Sequence, residues 1–164
     1  MSNVSTVVGG KLAFQRLAKN ETPAPLLADA QQNFTIDVTF VFSALTGMSK
    51  VVNGQTWYEA AGTYTFNPPS IEIGYGNTGK IKIKLDHNVS TNGWNLKSFV
   101  PKPSNPAGGP SAAQADANGD IDVTDNNTVA GTYYYGLYLE CPSNRYYSSY
   151  DPAIVQDGGG TPPM

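Results

Sequence analysis

Gly74, Gly79 and Lys80, in "GYGNTGK", fall at the G-x-x-x-x-G-K spacing of a loop that cradles phosphate with its backbone N–H groups. That chemistry needs a Ser or Thr after the lysine to hold magnesium, and a helix whose first amides converge on the phosphates. Ile81 stands where the hydroxyl should be. "KIKIKLD" stands where the helix should be, alternating Lys80, Lys82 and Lys84 with Ile81, Ile83 and Leu85 in the period of two of a half-buried strand. The pattern predicts two strands, "IEI" and "KIKIKL", joined as a β-hairpin by the Gly/Asn-rich loop, and no nucleotide site.

A second cluster, "DANGDIDVTDN", brings Asp116, Asn118, Asp120, Asp122 and Asp125 together. Oxygen ligands at alternate positions suit calcium, although Gly119 is one place early for an EF-hand and no Glu closes the loop. Calcium at Asp116, Asn118, Asp120 and Asp122 is the one cofactor the sequence offers, and the competing reading is a plain Asp/Asn/Gly turn. His87 is the single histidine and Cys141 the single cysteine, so a His-rich metal site, a nucleophile–histidine pair and an intrachain disulfide are all excluded. Glu59, Glu72 and Glu140 sit in ordinary strand contexts, and nothing singles out two of them as an acid/base pair. No enzymatic activity is expected.

The remaining chemistry is aromatic. Ten tyrosines, concentrated in "YYYGLY" and "RYYSSYDP", are more than one sandwich core accommodates, because each buried phenol hydroxyl needs a partner. Some of these rings therefore belong at a surface. Trp57, Trp94, Tyr146, Tyr147 and Tyr150 are the candidates for stacking on sugar or for packing at an interface.

The elements that must hold these residues are strands. "FTIDVTFVFS" places Phe34, Ile36, Val38, Phe40 and Phe42 on one face, and "GTYYYGLYLE" alternates in the same way. "QTWYEAAGTYTFN", "NGWNLKSFV", "DIDV" and "NRYYSSYDPAIV" supply further strands, giving about eight at turn spacings typical of a sandwich. The expected fold is all-β, an antiparallel β-sandwich of Ig-like or jelly-roll-like form with an extended N-terminal arm. Its boundaries are an arm over residues 1–33, a sandwich over 34–156 and a Gly/Pro-rich tail over 157–164. The Pro/Gly/Ala-rich stretch 101–119 is long enough to be functional or a partner contact.

Charged residues make up 14% of the chain, against the usual quarter or so. With a net charge of -3 and only Lys80, Lys82 and Lys84 as a basic row, there is no track for nucleic acid. No apolar run reaches the length of a membrane span, and the N-terminus lacks the pattern of a signal peptide. The expected location is cytoplasmic, or extracellular by a non-classical or lytic route.

Residues 125–160, "DNNTVAGTYYYGLYLECPSNRYYSSYDPAIVQDGGG", resemble the closing part of the small bacterial DP-EP family. They resemble more distantly the PixA/AidA inclusion-body protein family. The resemblance implies a compact sandwich without catalytic residues and, in the inclusion-body branch, packing into ordered intracellular assemblies. It carries over Asp151 and Pro152 as structural motif residues, an Asp-Pro step that forces extended backbone.

These readings converge on a non-enzymatic structural protein that assembles with itself into a filament, tube, shell or inclusion. Its N-terminal arm, 101–119 loop and C-terminal tail would make the contacts, so deleting residues 1–30 should leave a folded, soluble monomer. Lys80, Lys82 and Lys84 would meet the acidic loop of another copy. The alternative is a carbohydrate-binding, lectin-like module using the surface Trp and Tyr rings.

Overall fold

The computed structural model describes residues 7–8, 12–24, 31–126 and 129–151. Its strands are β1 (Val7–Val8), β2 (Ala13–Arg16), β3 (Gln31–Val52), β4 (Gln55–Asn67), β5 (Ser70–Ile73) and β6 (Thr78–Leu85). A short helix α1 (His87–Thr91) precedes β7 (Asn95–Pro101), β8 (Ala113–Gln114), β9 (Ile121–Asp125), β10 (Gly131–Cys141) and β11 (Tyr146–Tyr150). The fold is all-β, as the alternation predicts.

The sheet is mixed, however, and not purely antiparallel. β3 runs parallel to β6, β2 to β5, β11 to β4 and β1 to β4, while β3–β4, β6–β9, β10–β11, β10–β7, β10–β2 and β7–β8 are antiparallel. One path of pairing leads from β9 through β6, β3, β4, β11, β10 and β7 to β8. The turn 116–119 then returns β8 to β9, with the Asp116 N–H donating to the Asp120 carbonyl at 2.8 Å. The layers thus wrap around a single core, in which Phe14, Phe99 and Tyr135 form one aromatic group and Phe40, Tyr64 and Trp94 another.

Two expectations need correction. β5 and β6 do not pair with each other, so "GYGNTG" is a crossover between strands with different neighbours and not a hairpin turn. Alternation gives the face a residue occupies but not its strand's neighbour, and β2 inserts beside β5. The loop's carbonyls serve the fold, since the Arg16 guanidinium donates to those of Gly74 (2.8 Å) and Asn77 (2.6 Å). A Cβ at Gly79 would lie 2.7 Å from Cδ1 of Ile73, so a larger residue there would have to displace that side-chain end.

Second, residues 12–16 are not an arm reaching outward. β2 lies between β10 and β5 in this chain's own sheet, with Leu12 and Phe14 fully buried. Arg16 faces inward too, closing an ion pair with Asp125 at 2.9 Å in which both side chains are shielded from solvent. The 101–119 loop is likewise bound to its own body. Asn105 donates to the Tyr134 carbonyl at 2.8 Å and accepts from the Tyr134 N–H at 2.9 Å, and β8 pairs with β7.

The candidate interaction surface

β3 is far longer than its neighbours. β6 accompanies it only from Gln31 to Val38, yet β3 and β4 continue as a two-stranded ribbon to a tight turn at Asn53–Gly54, both in the left-handed region (φ 50° and 78°). Asn-Gly is the residue pair such a turn prefers. Flanked by "SKVV" and "QTWYE", it is the sequence signal for this ribbon, which a strand ending at Ser43 leaves out.

The core-facing positions of β4 are the even ones, among them Tyr64, Gly62, Ala60, Tyr58 and Thr56. Opposite these stand Phe40, Phe42, Leu45, Ser49 and Val51 of β3. The apolar row that builds the core therefore runs out beyond it. Val51 is 70% exposed, Met48 63% and Val41, on the other face, 60%, with Phe42, Leu45, Val52 and Tyr58 also open to solvent. Phe42 stacks on Tyr146 at a centroid separation of 5.6 Å, which ties the base of the ribbon to β11. Two register shifts, between Phe42 and Ala44 and between Leu45 and Ser49, bend the ribbon midway.

The opposite face of β4, β11 and β10 carries Trp57, Glu59, Tyr147, Glu140 and Tyr138, aligned by the pairings Glu59–Tyr147 and Tyr147–Glu140. Lys50 reaches over it, with its Nζ 4.6 Å from the Tyr138 ring centre and 4.3 Å from that of Tyr147, and donates to the Tyr138 hydroxyl. Burial, reinforced by the Glu140 charge, pushes the Tyr138 phenol well above its ordinary value, and burial does the same to Tyr147.

The stacking candidates divide. Trp57, Tyr146 and Tyr147 are half-buried, whereas Trp94 and Tyr150 are core residues and present no ring to a sugar. Tyr58 and Tyr75 are exposed, as the number of tyrosines requires of some rings, while four lie fully inside the core: Tyr64, Tyr133, Tyr135 and Tyr150. Three have partners, in Ser148 Oγ (2.7 Å), the Val129 carbonyl (2.6 Å) and the Leu12 N–H (3.1 Å) respectively for Tyr64, Tyr133 and Tyr150.

In the acidic loop, Asp116 Oδ1 accepts from the N–H groups of Asn118 (2.8 Å) and Asp120 (3.1 Å). Those backbone bonds, chiefly the one from Asp120, hold the Asp116 carboxyl below its usual range. Lys82 Nζ lies 3.2 Å from Asp122 Oδ1 and 3.7 Å from Asp120 Oδ2, pairing with two of the four residues named for calcium. Among the described residues no group of three or more His, Cys, Asp and Glu is arranged to hold a metal ion. Of the lysine row, Lys82 alone is ion-paired with acidic side chains of its own chain; Lys80 donates to Thr124 Oγ1 (3.1 Å), and Lys84 is exposed. His87 is an exposed residue at the start of α1. Asp151 is paired with Lys102 at 2.5 Å, and Pro152 lies outside the described residues.

No protein-family model matches this sequence, and no curated protein matches it.

Proposed function

We propose that this protein is a non-enzymatic structural subunit that associates with itself, and that the β3–β4 ribbon is its principal contact. The observation that carries this reading is the overhang of the core-facing row. Phe42, Leu45, Val51 and Tyr58 extend a face that is covered everywhere else, and Met48, Val41 and Val52 widen it. Apolar patches of more than a few hundred Å² are uncommon on monomers and mark contact sites. Residues 12–16 and the 101–119 loop are engaged by the chain's own sheet, which favours the ribbon over them as the contact. The resemblance of residues 125–160 to proteins that pack into ordered assemblies points the same way. Among the described residues no helix is long and apolar enough to cross a membrane.

The test is sedimentation of the full chain over a wide concentration range, followed by electron microscopy of the heaviest fraction. Concentration-dependent growth into regular particles is the expected result. A chain that stays monomeric at the highest soluble concentration removes the reading.

A further inference from the structure

Beyond Val38 no described residue pairs with the outer edge of β3, whereas the outer edge of β4 is sealed. There β11 pairs with Tyr58 and Glu59, the Tyr58 N–H donates to the Arg145 carbonyl (2.8 Å), and Arg145 Nε donates to the Thr56 carbonyl (3.0 Å). The other edges are short or charged: β5 has four residues with Glu72 exposed, and β8 has two. These are among the means by which sheets avoid unwanted pairing; residues 39–49 of β3 carry no charged side chain, and what interrupts this edge is the pair of register shifts within 42–49 and Lys50 beyond them.

Where β6 leaves, a groove of about 430 Å³ opens along Thr39–Phe42, walled by α1 and including Val89, Asn92 and Trp94 in its lining. At the far end of the same edge stand the exposed Met48, Val51 and Val52. One chain therefore carries an apolar-lined groove and an apolar ridge on one strand edge, on either side of the bulged stretch 43–48. This arrangement is what a two-fold, self-complementary contact requires.

We infer that a second copy of this chain occupies the edge, its β3 antiparallel to the first. Residues Thr39–Phe42 of each copy would pair with Ser49–Val52 of the other. The inference rests on the self-association reading above and specifies its geometry. Directly opposed residues in an antiparallel pair share a face, and this register satisfies that rule. Phe40 meets Val51 on the core-facing side, while Val41 meets Lys50 on the other. A register shifted by one residue would set core-facing against outward-facing positions throughout and is excluded. The two ladders use the stretches on either side of the register shifts, where β3 is regular, and each lays the partner's Val51 toward the groove beside Trp94. The pairing covers the ribbon's exposed Met48, Val51 and Val52 together with two four-residue ladders, contributing toward the roughly 800 Å² per partner that a standard stable interface buries.

The closing experiment mixes full-length Thr39→Cys protein with full-length Val52→Cys protein under mild oxidation, alongside sedimentation of the unmodified chain. The mixture should give a crosslinked dimer that neither variant gives alone, and a chain ending at Asp151 carrying the same cysteines should give it too. Val51→Lys, at a position already exposed and so neutral to folding, should weaken association by about a hundredfold. If the unmodified chain associates but the mixture does not crosslink, or Val51→Lys associates as tightly as before, the edge pairing is overturned and self-association stands. Crosslinking that is absent from the full-length mixture and appears only on truncation at Asp151 overturns it in favour of the C-terminal segment as occupant. A chain that remains monomeric throughout overturns both.

Discussion

Removing the N-terminal strand should unfold this protein, the opposite of what an arm would do. β5 has β2 as its one strand partner among the described elements, so β5 loses its place in the sheet when β2 is deleted. Phe14, packed against Phe99 (5.9 Å) and Tyr135 (4.5 Å), leaves a ring-sized void, and a buried Phe→Ala change alone costs about 3–5 kcal/mol. Losing Leu12 costs about 2–5 kcal/mol more, and losing Arg16 strands the buried Asp125 carboxylate at about 3–5 kcal/mol. These penalties together are comparable to the entire stability of about 5–15 kcal/mol available to such a domain. Urea unfolding followed by circular dichroism separates the cases. Phe14→Ala should remain folded with an unchanged slope and a midpoint lowered by the equivalent of about 3–5 kcal/mol. A chain beginning at Leu17 should show no cooperative transition. If that chain unfolds at the full-length midpoint, or if Phe14→Ala shifts stability by less than about 1 kcal/mol, the placement of β2 in the sheet is refuted.

Two further outcomes follow from the buried polar groups. Asp125→Ala leaves the Arg16 guanidinium with backbone carbonyls alone and should destabilise by about 3–5 kcal/mol, whereas the double change Arg16→Met with Asp125→Leu should recover most of that loss in the same urea assay. Burial raises the phenols of Tyr64 and Tyr135 above the ordinary value of about 10, with the Asp125 charge adding to the effect at Tyr135 and the Ser148 hydrogen bond opposing it at Tyr64. Below that value both folded and unfolded chains keep these protons. Above it the unfolded chain releases them first, so stability should fall as pH rises toward the higher native values. An ultraviolet titration should show these phenolates appearing only with loss of the folded circular dichroism signal, and their reversible ionisation in a folded chain would contradict the burial.

The sequence made the faces of the strands legible and left their neighbours hidden. Phe34, Ile36, Val38 and Phe40 face inward as their alternation predicts, and so do Ile81 and Ile83 opposite the lysines. Pairing was another matter, since a short Gly-rich loop between two strands reads as a hairpin whether or not a third strand intrudes. Leu12, Phe14 and Arg16 carry the same period of two, but an inward arginine contradicts the polar-out rule until Asp125, 109 residues away, is known to face it. The count of tyrosines rightly places some rings outside the core, Tyr58 and Tyr75 being exposed, but it cannot say which hydroxyls find partners inside. Ser148, the Val129 carbonyl and the Leu12 N–H supply them, and these are tertiary facts that no local pattern encodes. The ribbon escapes the pattern because alternation fails across "SALTGMS", and the structure places two register shifts in that stretch.

That failure of alternation bears on why the ribbon exists. A lysine or glutamate at Val41, Met48 or Val51 would leave the core untouched, because none of the three contributes to it. Such a charge would also protect the β3 edge in the way that Glu72 serves β5. Folding of a single copy therefore gives no reason for apolar side chains at these positions, and solubility of a single copy gives a reason against them. Elsewhere among the described residues the exposed large apolar side chains are scattered, at Tyr75, Val100 and Val129, whereas seven cluster on the ribbon. The exposed apolar row falls on the stretch of β3 whose outer edge no described residue pairs, beside a groove lined by Trp94 and Val89. A contact made by another copy accounts for the edge, the groove and the missing charge together, and chain stability alone accounts for none of them.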